Sequence, residues 1–159
     1  MFVSRLKKFF GIGPIGMMIS FSLLTAAFFA DRRLGGTAIL EHPLPLQIAA
    51  GSLTGAGLCL LAWGARTLRS WWINGELCTD GPFRWFRHPI YAAYLTFLFP
   101  AAALFFNSWI MLAAAAALHP LWHLLVRHEE AMMLEKFAER YRDYMRRTGR
   151  FFPKFQQCF

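Results

Sequence analysis

The chain has 159 residues, of which 57% are hydrophobic and 17% aromatic, and its formal net charge is +8. So apolar a composition excludes an ordinary soluble surface, and the length favours a single domain, residues 1–159, over two. The three cysteines have no metal-ligand spacing and form no even set, which excludes a cysteine-based zinc site and a disulfide framework.

Four largely uncharged apolar runs follow one another along the chain, at roughly 13–30, 44–65, 89–106 and 109–126. Runs of about 17–25 residues cross the hydrocarbon core of a bilayer as α-helices. The sequence therefore predicts an all-α integral membrane protein with four transmembrane helices. A fifth span would arise if the connector Trp71–Phe86 dips into the membrane.

Lysine and arginine are segregated to one side of these four spans. Fifteen of the seventeen lie near the N-terminus, in the second loop or after Val126, and only Arg32 and Arg33 fall on the other side. The positive-inside rule then predicts that both termini are cytoplasmic, in the plasma (inner) membrane of a prokaryote. We expect the positive charge to attract membrane lipids rather than nucleic acid.

The first ten residues are basic and aromatic, and we expect them to lie along the membrane interface before the first span. A basic start, an apolar run and the sequence Ala27–Ala30 also resemble a signal peptide. Cleavage there would leave an odd number of spans and disturb the charge alternation, so retention is favoured. The second span contains Gly51, Gly55 and Gly57, and such spacing of small residues lets helices approach closely in lipid.

The segment Gly81–Tyr91 joins the polar connector to the third span and combines arginine, histidine and aromatic residues. Charge and imidazole are costly at the edge of hydrocarbon, so Arg87 and His88 are expected to bind something. Pro89 suits the first turn of a helix, and the free N–H groups after it could hold an anionic or hydroxyl-bearing ligand.

Phe106-Asn107-Ser108 is the only polar break between the third and fourth spans. So short a link predicts an antiparallel hairpin. The hairpin would bring Arg87–Tyr91 and Arg127–Glu130 to the same membrane face, where two carboxylates would meet an arginine and a histidine. This convergence indicates a polar ligand held at the lipid boundary.

The fourth span is predicted to continue as a cytoplasmic amphipathic helix that ends at Pro153. Residues on one stripe follow steps of three and four: His119, His123, Val126, Glu130, Leu134, Phe137, Tyr141 and Tyr144. His119 and His123 have metal-ligand spacing, but further ligands lie one or more turns away. We therefore predict structural or pocket-lining functions for these histidines and no metal site.

Three motifs resemble the isoprenylcysteine carboxyl methyltransferase family and the related membrane phospholipid methyltransferases. They are Leu77–Phe83, Arg87-His-Pro-Ile-Tyr91 and Glu129-Glu130, followed by the apolar stripe and Pro153. The resemblance covers about Gly75–Pro153, whereas the first two spans match only in being apolar. It implies a methyltransferase that uses S-adenosyl-L-methionine, held between the last spans and the C-terminal helix.

Carried over by position, the resemblance implies cofactor contacts from Gly75, Glu76, Leu77, Cys78, Phe83, His88, Pro89, Ile90, Tyr91 and Glu129. It places the catalytic residues Arg87 and Glu130 near the transferred methyl group and Arg127 at the substrate. Phe83 stands where the family usually has tyrosine, and Ala138 replaces a common glycine.

The predicted acceptor is a small lipophilic carboxylate, thiol or amine that enters from the bilayer. An arginine would orient a carboxylate, and a glutamate would accept a proton from an amine or thiol. One alternative is an NADPH-dependent reductase of the related sterol-reductase group, which would need more spans and a longer C-terminal region. Another is a lipid-binding scaffold, in which lysine would replace Arg87 and Arg127 with little loss and Glu129 would be dispensable.

Overall fold

Four helices dominate the computed structural model, which describes residues 12–72 and 75–154, with only the backbone for 70–72. Helix α1 is Gly13–Arg33, α2 is Leu44–Trp72, α3 is Pro89–Phe105 and α4 is Trp109–Arg147. Within these described residues the connector forms only a single 3₁₀ turn, Gly81–Arg84. The predicted interfacial segment of the first ten residues lies outside the described part of the chain.

Three of the helices, α1, α2 and α4, are long and apolar enough to cross a membrane. Helix α3 is apolar but shorter, and its rise of about 25 Å falls a little short of a bilayer core of about 30 Å. The prediction of an all-α membrane protein is therefore confirmed. Residues 75–88 contain no helix other than the 3₁₀ turn, so this part of the connector forms no fifth span.

Helices α3 and α4 form the predicted antiparallel hairpin at the centre, with α1 packed on α4 and α2 packed on α3. Asn107 makes the hairpin turn with a φ of 53°. Its side-chain oxygen accepts hydrogen bonds from the N–H groups of Ile39 and Leu40, at 2.9 and 3.0 Å. These bonds attach the turn to the loop between α1 and α2.

Glycines allow close helix contacts at only some of the predicted positions. A Cβ on Gly57 would lie 2.9 Å from atoms of Phe97 and Leu98, so this glycine lets α2 pack on α3. A Cβ on Gly51 or Gly55 would meet no atom within 4 Å. Of the three predicted glycines, only Gly57 therefore lies at the contact between α2 and α3.

Helix α3 contains a π-helical turn, Ala93–Leu98, and the N–H of Phe99 after it bonds to the carbonyl of Tyr94, five residues earlier. Pro100 lacks the N–H that would continue this pattern to the carbonyl of Leu95. The Nε2 atom of His119 in α4 lies 3.1 Å from that oxygen and donates to it instead. This bond gives His119 a structural function in the contact between α3 and α4.

Helix α4 folds back on itself at Ala138, which has a φ of 44° and a ψ of −120°. The guanidinium of Arg87 bonds both to Glu130 and to the carbonyl of Met145. Those two residues would be about 22 Å apart along a straight helix. The prediction of an uninterrupted helix to Pro153 is therefore wrong, because Ala138 interrupts the helix and α4 ends at Arg147. The returning part buries Tyr141 and Tyr144 against Leu77, which favours the reversal over continued helix.

We expect Ala138→Gly to raise the free energy of unfolding by about 1 kcal/mol, because glycine adopts a positive φ without the Cβ strain of alanine. Ala131→Gly is the matched control, since Ala131 is exposed in the regular part of α4. There the same change should cost about 1 kcal/mol. Unfolding of the purified protein in detergent checks both values, and a loss of stability in both variants would contradict the reversal.

Candidate functional site

The two predicted clusters meet at one end of the α3–α4 hairpin. Arg87 Nε lies 2.9 Å from Glu130 Oε1, and the Tyr91 hydroxyl donates to Glu129 Oε1 at 3.0 Å. His88 lies between them, with Nδ1 3.7 Å from Glu129 Oε2 and Nε2 3.5 Å from Glu130 Oε1. We call Arg87, His88, Tyr91, Glu129 and Glu130 the polar cluster. Its formation confirms that the hairpin brings both motifs to the same face.

Arg87 is almost entirely enclosed, with its side chain 7% exposed. Besides its bond to Glu130, its Nη1 donates to the carbonyl oxygens of Met145 and Thr148. Carbonyls at the end of a helix have no backbone partner within the helix, so a buried guanidinium satisfies them well. Arg87 therefore holds the end of α4 against Glu130.

Arg150 is a member of the site that the sequence analysis missed. It pairs with both carboxylate oxygens of Glu130 and also bonds to the carbonyl and the Nδ1 atom of His123. Its side chain is 20% exposed, against 4% for Glu130. Arg150 lies outside the apolar stripe and beyond the helix, so no periodicity pointed to it. Two guanidiniums on one buried carboxylate keep Glu130 ionised.

The other half of the polar cluster is less completely satisfied. The rings of His88 and Tyr91 stack with centroids 5.6 Å apart and planes 13° apart. The Nε2 atom of His88 is buried and has no hydrogen-bond partner among the described residues. Glu129 is 15% exposed, and it contacts Tyr91 and His88. Glu129 is thus the more accessible carboxylate of the pair.

A short segment after α4 closes the site from the other side. The N–H of Arg87 donates to Gly149 O at 2.7 Å, and the N–H of His88 donates to Arg150 O at 3.2 Å. Phe151 is buried, with its ring centroid 6.1 Å from that of His88 and 4.9 Å from that of His123. This return segment, 148–151, places Arg150 on Glu130.

The remaining predicted site residues lie at different distances from the polar cluster. Pro89 and Ile90 face Gly64 of α2, since a Cβ on that glycine would lie 3.5 to 3.7 Å from their side chains. Arg127 is exposed and forms no ion pair among the described residues. Gly75 and Glu76 are exposed, and the carbonyl of Gly75 accepts a hydrogen bond from Lys136.

Three further predicted residues, Leu77, Cys78 and Phe83, are buried beneath the returning part of α4. Leu77 packs with Tyr141 and Tyr144, and the hydroxyl of Tyr144 donates to Phe83 O at 2.6 Å. Burial raises the pKa of the Cys78 thiol, which therefore stays neutral and serves as an apolar side chain. These residues are the part of the connector that packs against the folded-back part of α4.

A family model described as phospholipid methyltransferase matches residues 47–140, more than half of the chain. The match begins within α2, earlier than the resemblance predicted, and it ends before the return segment. The chain is also 28% identical over 145 residues to the cobalt-zinc-cadmium resistance protein CzcN of Cupriavidus metallidurans. That alignment covers 90% of this chain and 63% of CzcN.

No solved structure matches the chain. The family match contains α3, most of α4 and all five residues of the polar cluster, so the sequence motifs and the geometry fall within one matched region. Members of this family are methyltransferases of membranes, as the predicted resemblance implied. The chain belongs to the phospholipid methyltransferase family.

Proposed function

We propose that the protein transfers a methyl group from S-adenosyl-L-methionine to a small lipophilic acceptor that enters from the bilayer. The observation that carries this proposal is the polar cluster itself, in which an accessible carboxylate lies beside stacked His88 and Tyr91 rings at the end of apolar helices. We propose that a polar cofactor would reach this place from the water side and an apolar acceptor from the lipid side. We further propose that this side is cytoplasmic in a prokaryotic inner membrane.

The residues present fit the cofactor. Its sulfonium is cationic, which suits the Glu129 carboxylate, and its hydroxyl and amino groups suit His88 Nε2, which is buried and makes no hydrogen bond to the described residues. We propose that His88, Tyr91 and Glu129 contact it directly, with Pro89 and Ile90 supporting their helical turn. Gly75 and Glu76 are exposed and would line it, and Leu77, Cys78 and Phe83 would support them from beneath the folded-back part of α4. When bound, the cofactor supplies an already activated methyl group.

The arginines of the site would orient the acceptor and fix the carboxylates. Because Glu130 is bonded to two guanidiniums, it is a weak base, so we propose a positioning function for Glu130 together with Arg87. Arg150 is partly exposed beside them, and the Nη2 hydrogen that does not bond to Glu130 would donate to an acceptor carboxylate. We assign to Arg150 the substrate contact that the resemblance placed on Arg127. An amine or thiol acceptor would instead lose its proton to Glu129.

Glu129→Gln is expected to weaken S-adenosyl-L-methionine binding about 10- to 100-fold, because a charge-assisted hydrogen bond is worth about 1.5–3 kcal/mol. Calorimetry on protein purified in detergent measures this loss. Glu135→Gln is the matched control, since Glu135 is an exposed carboxylate on the same helix. It should bind the cofactor as the wild type does.

A folded wild-type protein that binds no S-adenosyl-L-methionine would overturn the proposal. Binding of NADPH in its place would favour the reductase alternative. If neither S-adenosyl-L-methionine nor NADPH binds, and if Glu129→Gln leaves the stability of the protein unchanged, the scaffold interpretation would stand. A positive result justifies a search for the acceptor with methyl-labelled cofactor and lipophilic carboxylates, thiols and amines.

A further inference from the structure

A separate apolar groove lies between α1 and α3, towards the opposite end of the helices from the polar cluster. Its volume is about 450 Å³, and it is lined mainly by aromatic rings, among them Phe21, Phe28, Phe29, Tyr94, Phe99 and Phe106. Trp122 is fully buried between the groove and the cluster, where it contacts Tyr91 and donates to the hydroxyl of Ser20 at 2.8 Å. The groove therefore forms a site of its own.

The dimensions of the groove suit one hydrocarbon chain. Tyr94 on α3 and Phe106 directly after it mark the ends of the groove, and twelve residues of helix rise about 18 Å. One leaflet of a bilayer core is about 15 Å deep. A methylene group is about as large as a water molecule, which occupies roughly 30 Å³ in the liquid, so the volume holds about fifteen of them. One acyl chain fits this space.

Two arginines stand at the outer end of the groove. On α1 the lining residues Phe28 and Phe29 are followed four positions later by Arg32 and Arg33, which continue the same face. The guanidinium carbon of Arg32 lies 5.2 Å from the centroid of the Phe28 ring. Apolar lining and positive charge thus adjoin along a single helix face.

These are the two cations that the predicted topology places against the positive-inside rule, so a specific partner would account for their position. The adjacent carboxylate makes its hydrogen bonds elsewhere. Asp31 is buried, and it accepts hydrogen bonds from the backbone N–H and the hydroxyl of Thr37. Within residues 12–72 and 75–154, neither Arg32 nor Arg33 forms an ion pair within 4 Å.

We propose that the groove and the arginine pair bind one phospholipid of the leaflet opposite the polar cluster. One of its two acyl chains would lie between α1 and α3, and its phosphate would pair with Arg32 and Arg33. A phosphate attached to a long chain is the ligand that matches positive charge at one end of an apolar groove. Because Trp122 separates this groove from the cluster, the lipid would be a bound component of the protein rather than the methyl acceptor.

The test uses the full chain in nanodiscs that contain phosphatidylglycerol with a diazirine in the middle of one acyl chain. Illumination should label Thr25, Leu98 and Ala102, which line the groove. Arg32→Gln/Arg33→Gln should weaken retention of phosphatidylglycerol about thirtyfold in native mass spectrometry, at about 1 kcal/mol for each arginine near the surface. The control is Arg69→Gln, an exposed arginine near the far end of α2, which should retain the lipid as the wild type does.

Thr25→Trp is a second variant, in which an exposed lining residue fills the groove without disturbing the core. It should abolish labelling while its unfolding temperature in detergent stays that of the wild type. Labelling that persists in both variants, or that falls on the exposed face of α2 instead, would overturn the proposal. Equal capture of an uncharged diacylglycerol probe would overturn the assignment of the phosphate to the arginines.

Discussion

Arg87→Met is expected to lower the free energy of unfolding by about 3–5 kcal/mol, the usual cost of removing one partner from a buried ion pair. The loss leaves Glu130 with one guanidinium and leaves the carbonyls of Met145 and Thr148 without their donor. Reversible unfolding in detergent measures the change. Methyl transfer should fall as well, because the end of α4 would no longer be held against the site.

Two comparisons separate this effect from a general loss of positive charge. Arg84→Met removes an exposed arginine from the neighbouring 3₁₀ turn and should change stability by no more than about 0.5 kcal/mol. Arg87→Lys keeps the charge but cannot bond to Glu130 and both carbonyls at once, so it should recover only part of the loss. Wild-type stability in Arg87→Lys would contradict this account and agree with the scaffold interpretation.

Gly149→Ala should lower the free energy of unfolding by about 3 kcal/mol or more. Single substitutions have so large an effect only through a few mechanisms, and a backbone clash is one of them. A Cβ on Gly149 would lie 1.7 Å from the carbonyl oxygen of Phe152. This clash is with backbone atoms, which cannot move aside as the end of a flexible side chain would. The return segment must then open, which removes its backbone bonds to Arg87 and His88. Trypsin should cut after Arg147 and Arg150 faster than in the wild type.

Gly55→Ala provides the matched control for this glycine. A Cβ there meets no atom within 4 Å, and the residue lies in regular helix, so alanine should be neutral or stabilise by up to about 1 kcal/mol. If Gly149→Ala has the same free energy of unfolding and the same resistance to trypsin as Gly55→Ala, the return segment does not hold Arg150 in place.

Much of the architecture could be predicted because its causes are local. Charge-free runs of sufficient length define the helices, and the three residues Phe106–Ser108 leave no path but a hairpin. That hairpin alone places Arg87 beside Glu130 and Tyr91 beside Glu129, as the structure shows.

The reversal at Ala138 and the position of Arg150 could not be predicted in the same way. Alanine is the best helix former, and no proline or glycine marks the reversal, so the apolar stripe implied one continuous helix. The reversal depends on contacts distant in sequence, such as that of Tyr144 with Phe83. Arg150 reaches Glu130 only because of that reversal. Because the reversal was not predicted, the contact of Arg150 with Glu130 was not predicted either.

The pairing of Arg87 with residues 145 to 150 also determines the order in which the protein can be made. The third helix must enter the membrane while the partners of Arg87 are still unsynthesised, since they lie about 60 residues later in the chain. At about 5–20 residues per second, translation needs roughly 3–12 s to supply them. During that interval Arg87 stays hydrated at the membrane edge, and its burial is a late step that completes the site after insertion.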